Sequence, residues 1–245
     1  MLSEPSPVWL FDVDNTLLDN DRFGADLAEH LEQAFGAQQR DRYGSLYAAA
    51  RDETGYADYL GALQRFRVGL EGDVRLLRVG EFILDYPFAD RLYPRALDVV
   101  AACGTRGLAA VVFSDGDIVF QPRKIVRSGL WDAFDGRVLV CVHKERSLDQ
   151  LQRQYPASDY AIVDDKPRLL AAIKRALGSR VTTVFVRQGH YAAEATAAVI
   201  EPAPDVTIDR IGDVIDLLST PGPVVDRGGN CVDAPRVLST SNGLT

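Results

Sequence analysis

Val8-Trp9-Leu10-Phe11-Asp12-Val13-Asp14-Asn15-Thr16-Leu17-Leu18 decides how this chain folds. Its first four residues form an apolar run rich in β-branched and aromatic types. That is the pattern of a parallel strand buried on both faces, not the alternation of a half-solvated one. The run stops on acid. Asp12 and Asp14 stand at the strand's carboxyl end, the edge at which open α/β sheets gather their ligands. Two carboxylates so placed repel, and one pKa climbs unless a divalent cation or a lysine compensates. The compensating groups must come from elsewhere in the chain.

From Asp19 to about Ala89 strand signals vanish and helical spacing takes over. Phe23, Leu27, Leu31 and Phe35 mark one apolar face, Tyr56, Tyr59, Leu60, Leu63 and Phe66 a second, and Leu76, Val79 and Ile83 a third. Gly55 and the Gly69 to Gly72 region separate them. The aromatics of this all-helical insert and its arginines Arg51, Arg65, Arg67, Arg75 and Arg78 could line a substrate cavity, but the favoured reading is core aromatics and a solvated charged surface. Because the insert leaves directly after the acidic pair, it is placed to close over it.

After Tyr93-Pro94, strands and helices alternate, the signature of βαβ units and a parallel sheet. Strands are expected at Leu108 to Phe113, Val138 to Val142, Tyr160 to Val163, Val181 to Val186 and Val206 to Ile208. Helices are expected near Ala96–Cys103, Ile118–Ser128, Leu148–Tyr155, Pro167–Leu177 and Ile211–Leu218. With the strand at 8–11 this makes an α/β fold: a Rossmann-like doubly wound parallel sheet core with an inserted all-helical cap. Residues 1–18 plus 90–218 form the core and 19–89 the cap. Residues 219–245, dominated by Pro, Gly, Ser, Thr and Asn without periodicity, read as a poorly ordered tail.

The compensating groups appear at successive strand ends. Leu108 to Phe113 runs into Ser114-Asp115-Gly116-Asp117, a hydroxyl and a turn of backbone N–H groups able to bind an anion. Val138 to Val142 runs into His143-Lys144, which brings a cation. Tyr160 to Val163 runs into Asp164-Asp165-Lys166-Pro167, whose acidic pair suits a hard cation that prefers oxygen ligands. Each feature alone is an ordinary cap or turn. Their recurrence at one sheet edge is what points to a site. Thr16 fits a turn cap as well as a site, His30 reads as surface, His143 and His190 as loop residues, and Cys103 and Cys141 as buried small residues.

Composition excludes several classes. At 245 residues, 47% apolar and 25% charged, the chain matches an ordinary globular protein with a sizeable core. A net charge of −8 disfavours nucleic acid and anionic membranes as partners. Three cysteines, Cys103, Cys141 and Cys231, suggest reduced thiols in the cytoplasm. Residues 1–7 show no secretory pattern, and no apolar stretch is long enough to span a bilayer.

On Asp12-Val13-Asp14-Asn15-Thr16, Ser114, Lys144 and Asp164-Asp165, the chain from about Val8 to Leu218 resembles the haloacid dehalogenase superfamily of hydrolases and phosphotransferases. Glu145 follows the lysine where many relatives have proline, which keeps Lys124 as the reserve candidate. The resemblance implies a Mg²⁺-dependent phosphatase that hydrolyses a small phosphorylated metabolite through an aspartyl-phosphate. In that scheme Asp12 is nucleophile, Asp14 general acid, and Ser114 and Lys144 hold the phosphoryl group. Asp12, the Asp14 backbone carbonyl, Asp164 and Asp165 would take the metal. The family's dehalogenases lack an acid at the position of Asp14, and its P-type ATPases carry threonine there. A phosphotransferase or mutase on the same scaffold and a catalytically idle binding module are the alternative readings. The expected state is a monomer or homodimer.

Overall fold

A computed structural model describes residues 7–195 and 199–219. The expected tail after Ser219, and Cys231 with it, lie outside the described residues. In chain order the elements are β1 (Val8–Phe11), α1 (Asn20–Phe35), α2 (Ala37–Thr54), α3 (Tyr59–Phe66), α4 (Arg75–Asp85), α5 (Ala96–Thr105) and β2 (Ala109–Asp115). There follow α6 (Phe120–Arg127), α7 (Leu130–Ala133), β3 (Val138–Cys141), α8 (Leu148–Gln154), β4 (Tyr160–Asp164) and α9 (Pro167–Leu177). β5 (Val181–Val186), α10 (Gly189–Ala195), β6 (Val206–Ile208) and α11 (Val214–Ser219) complete the set.

All six strands are parallel, in the order β3-β2-β1-β4-β5-β6, so the sheet is wound outward in both directions from β1. Burial on both faces explains the unbroken apolar run of the first strand. Val8 and Leu10 pack with Leu148, Leu151, Leu170 and Ile173 of α8 and α9 on one side. Phe11, pointing the other way, joins Val99 and Cys103 of α5 and Val214 of α11. Among the described residues no helix is long and apolar enough to cross a membrane.

The insert consists of α1 to α4 between β1 and the core helix α5. Asp19 caps α1, accepting from the Arg22 N–H at 2.9 Å, and Asp58 caps α3, accepting from Gly61 at 2.7 Å. Phe23 ties the insert to the core. Its ring is fully buried and lies 5.0 Å from Tyr59, 4.9 Å from Tyr86, 5.1 Å from Phe88 and 5.7 Å from Phe120 at the start of α6. Truncating it removes one ring from a five-ring cluster that cannot collapse around the gap. Phe23→Ala should therefore cost about 3–5 kcal/mol in denaturant unfolding. A cost below about 1 kcal/mol would show that insert and core do not share this core.

Several elements go beyond or depart from the expectation, among them the short helices α7 and α10, which the sequence pattern did not indicate. Helix α2 carries only a short apolar face, with Tyr43 and Ala50 buried and Leu46 and Tyr47 packed beside them among its 18 residues. Helix α6 starts at Phe120 because the Asp117 carboxylate accepts from the N–H groups of Val119 and Phe120, at 2.9 and 2.7 Å, and so fixes the turn before it. His30, expected at the surface, is half-buried and stacks on Phe82 with ring centres 4.4 Å apart.

Candidate active site

Strands β1 to β4 end side by side, so the residues that follow them converge. Phe11 pairs with Val163, which sets Asp12 beside Asp164, and both carboxylates are buried. Lys144, on the turn after β3, reaches between them. Its Nζ donates to Asp12 Oδ1 and to Asp164 Oδ2, at 2.6 Å each. The Ser114 hydroxyl donates to the same Asp12 oxygen at 3.2 Å and accepts from Gln121 Nε2 at 3.0 Å. One carboxylate oxygen from each of Asp12, Asp164 and Asp165 lies within 4.8 Å of the others. Asp12 Oδ2 and both oxygens of Asp165 are buried with no hydrogen-bond partner among the described residues.

Asp14 sits at the wall of a neighbouring cavity rather than in this cluster. Lys124 Nζ donates to Asp14 Oδ1 at 2.6 Å and to Asn20 Oδ1 at 3.0 Å, while Gln121 approaches the other Asp14 oxygen at 3.5 Å. Lys144 and Lys124, alternatives for one role in the sequence, thus take different carboxylates. Asn15, with a left-handed φ of 59°, turns the chain out of β1; asparagine tolerates that backbone better than most residues. The turn expected to offer free N–H groups offers fewer: Gly116 donates to the Cys141 carbonyl at 2.9 Å. Thr16 is buried, and its hydroxyl has no partner among the described residues.

Burial sets the electrostatics. It opposes ionisation of Asp12, but Lys144 and Lys166 outweigh it and hold that carboxyl below the ordinary range. Burial, aided by the Asp164 charge, pushes Asp165 well above it. Asp164 is also raised, chiefly by burial with Asp12 adding to it, and Asp115 is raised by burial against the pull of Lys144. Three mutually close buried carboxylates with unpartnered oxygens form a group that could hold a hard, oxygen-preferring cation. With every group ionised, Asp12, Asp14, Asp115, Asp164 and Asp165 set five negative charges against the three positive ones of Lys124, Lys144 and Lys166, an excess that the raised carboxyl pKa values reflect.

The cavity, about 250 Å³, is walled on the insert side by Tyr47, Arg51 and Tyr56 and on the core side by Asp115, His143, Lys166 and His190. Both histidines set aside as loop residues therefore line it. His190 is anchored, with Nδ1 2.7 Å from Asp21 Oδ1 and its N–H donated to Asp21 Oδ2 at 2.8 Å. His143 lies beneath Gly55, whose φ is +82°; a Cβ there would meet the imidazole Cε1 at 2.3 Å. This close approach of insert to core leaves no trace in hydrophobic periodicity. Gln121 and Lys166 were likewise missed, although Lys166 was visible next to the acidic pair. Cys141 is half-buried at the strand end, 3.6 Å from Asp115 Oδ1, and burial with that carboxylate pushes its thiol up to about 12.

A doubly wound parallel sheet whose carboxyl edge joins two aspartates, a serine and a lysine to a second acidic pair defines a Rossmann-like α/β hydrolase. The chain belongs to the haloacid dehalogenase-like hydrolases. It is 54% identical to a protein described as a haloacid dehalogenase-like hydrolase from Burkholderia xenovorans LB400, over 87% of this chain and 96% of that one, with a TM-score of 0.81. The fold is also that of the HAD-hydrolase YfnB from Bacillus subtilis, bound to magnesium, at 15% identity over 88% and 99% of the two chains and a TM-score of 0.60. The L-2-haloacid dehalogenase from Xanthobacter autotrophicus shares it at 18% identity over 89% and 100%, with a TM-score of 0.57. No family model and no curated protein matches the chain.

Proposed function

We propose that this hydrolase is a Mg²⁺-dependent phosphatase acting on a small phosphomonoester, with Asp12 as nucleophile. The observation that carries the reading is the buried Asp12, Asp164 and Asp165 cluster with its orphaned oxygens. Alkyl transfer from a haloacid to a carboxylate has no need of a cation site, whereas phosphoryl transfer depends on neutralising charge. Asp14 supports the reading, since it lines the cavity beside the cluster and offers a carboxyl that can give a departing alkoxide its proton. Magnesium bound to YfnB accords with the same reading.

The chain's own residues then divide the work. Lys144 and Ser114 hold Asp12 Oδ1 and fix the plane of the carboxylate, leaving Oδ2 free of hydrogen bonds. An Asp12 oxygen attacks phosphorus as the ester P–O bond breaks, and Asp14 gives its proton to the leaving oxygen. Water next attacks the Asp12 phosphoryl group and passes a proton to Asp14, which releases inorganic phosphate and restores both acids. Asp12, Asp164, Asp165 and the Asp14 carbonyl would hold Mg²⁺, which when bound neutralises charge on the transferring group. The helices of residues 19–89 act as a cap that closes the cavity, and its size fits a small metabolite in the cytoplasm, where Cys103 and Cys141 stay reduced.

Removing the cation tests this. EDTA should abolish phosphate release, and Mg²⁺ should restore it; full turnover in a metal-free preparation would sink the assignment. Stability supplies an independent readout. Asp164 and Asp165 have folded pKa values raised above the unfolded one near 3.8, so the folded state binds more protons. Their contribution is fully present below that pH and is lost as pH rises toward the raised values. Metal-free protein should therefore lose Tm as pH rises from the ordinary carboxylate range through the raised values, and added Mg²⁺ should raise Tm more at the higher pH. Asp165→Asn, which removes an unpaired buried charge, should flatten both trends.

A further inference from the structure

Three lysines serve this edge of the sheet, and they are not equally occupied. Lys144 spends two of its three N–H groups on Asp12 and Asp164, and Lys124 spends two on Asp14 and Asn20. The Lys166 ammonium donates to no described residue. It lies 5.6 Å from the Tyr191 ring centre and lines the cavity with Asp14 and Asp115. A lysine kept only as counter-ion to the acidic pair would bond to it. Yet both Asp165 oxygens go unpartnered, and only the backbone N–H of Lys166 reaches Asp164, at 2.9 Å.

With a divalent ion in place the cluster is neutral, so an arriving phosphate dianion brings two charges and several oxygens that need donors. Ser114 has its hydroxyl proton committed to Asp12, and Lys144 has one N–H left. We propose that Lys166 is a second phosphoryl-binding lysine, a catalytic residue whose ammonium grips the non-bridging oxygens of the substrate phosphate from the cavity side. The assignment rests on the phosphatase reading.

Calorimetry with inorganic phosphate in MgCl₂ tests it on the full chain, for the parent, Lys166→Met and Lys166→Arg, with Mg²⁺ titrated separately. The parent should bind phosphate. Lys166→Met should bind it about 10- to 100-fold more weakly, the scale of a lost charged hydrogen bond, and Lys166→Arg should recover most of the loss. Mg²⁺ affinity should hold or tighten in Lys166→Met, because a repelling charge is gone. Equal phosphate affinity in parent and Lys166→Met overturns this assignment alone, as does a loss of phosphate that merely follows a loss of Mg²⁺. A parent that binds Mg²⁺ but no phosphate overturns the phosphatase reading and this assignment together. Should Lys166→Met fail to fold by circular dichroism, Lys166→Gln takes its place under the same criteria.

Discussion

Asp12→Asn should abolish turnover of every phosphomonoester, with a loss of about 10⁴- to 10⁶-fold in kcat, the scale at which enzymes lose a covalent nucleophile. The amide is isosteric, so the change removes charge and nucleophilicity while keeping volume. It cannot form an acyl phosphate, and it gives up one negative oxygen of the Asp12, Asp164 and Asp165 cluster. The stability effect should run differently. Lys144 keeps Asp164 at 2.6 Å, and relief of crowding among three buried carboxylates offsets the lost Lys144–Asp12 pair. Asp12→Asn should therefore remain folded in metal-free buffer while losing activity. Rapid quench with labelled substrate should yield no phosphoprotein. Turnover within tenfold of the parent would remove Asp12 from the role of nucleophile.

Much of the fold was legible because the forces that build a parallel sheet write directly into sequence. Strands such as β1 and β2, paired at Leu10 and Val111, are buried on both faces and need unbroken apolar runs, and the ends of those runs marked the edge where Asp12, Ser114, Lys144 and Asp164 are brought together. Helix α2 was illegible as an individual element because its packed face is short, Tyr43, Leu46, Tyr47 and Ala50, with only Tyr43 and Ala50 buried in 18 residues of mostly polar sequence. The cavity wall was illegible for another reason. His143 and His190 become wall residues only through contacts between distant parts of the chain, the approach of Gly55 and the pairing with Asp21. Lys166 is the instructive intermediate case. Its neighbours Asp164 and Asp165 announced a site, but an unspent ammonium is a property of what a side chain does not touch, and that is visible only once every partner is placed.

Asp14→Asn separates acid from nucleophile. It keeps the shape of the side chain and the backbone carbonyl assigned to the metal, and an amide oxygen can still accept from Lys124, which donates to Asp14 at 2.6 Å. What it removes is a proton for the leaving oxygen, worth on the order of 10²–10⁴-fold. The size of that deficit must depend on the substrate. An alkyl phosphate expels a strongly basic alkoxide and needs the proton as the P–O bond breaks, while an activated aryl phosphate expels a weakly basic phenolate that departs without it. The ratio of mutant to parent kcat/KM should thus be lowest on the alkyl ester and recover by a factor of ten or more on the aryl ester, while kcat on the aryl ester stays limited by how fast water is activated in the second step. Rapid quench should then show phosphoprotein accumulating in Asp14→Asn with the aryl substrate, because formation is spared and hydrolysis, which needs Asp14 as base, is slowed. Equal losses on both esters, with no accumulated intermediate, would mean that Asp14 only positions Lys124 and the turn at Asn15, and that the leaving group draws its proton from another residue of the cavity wall.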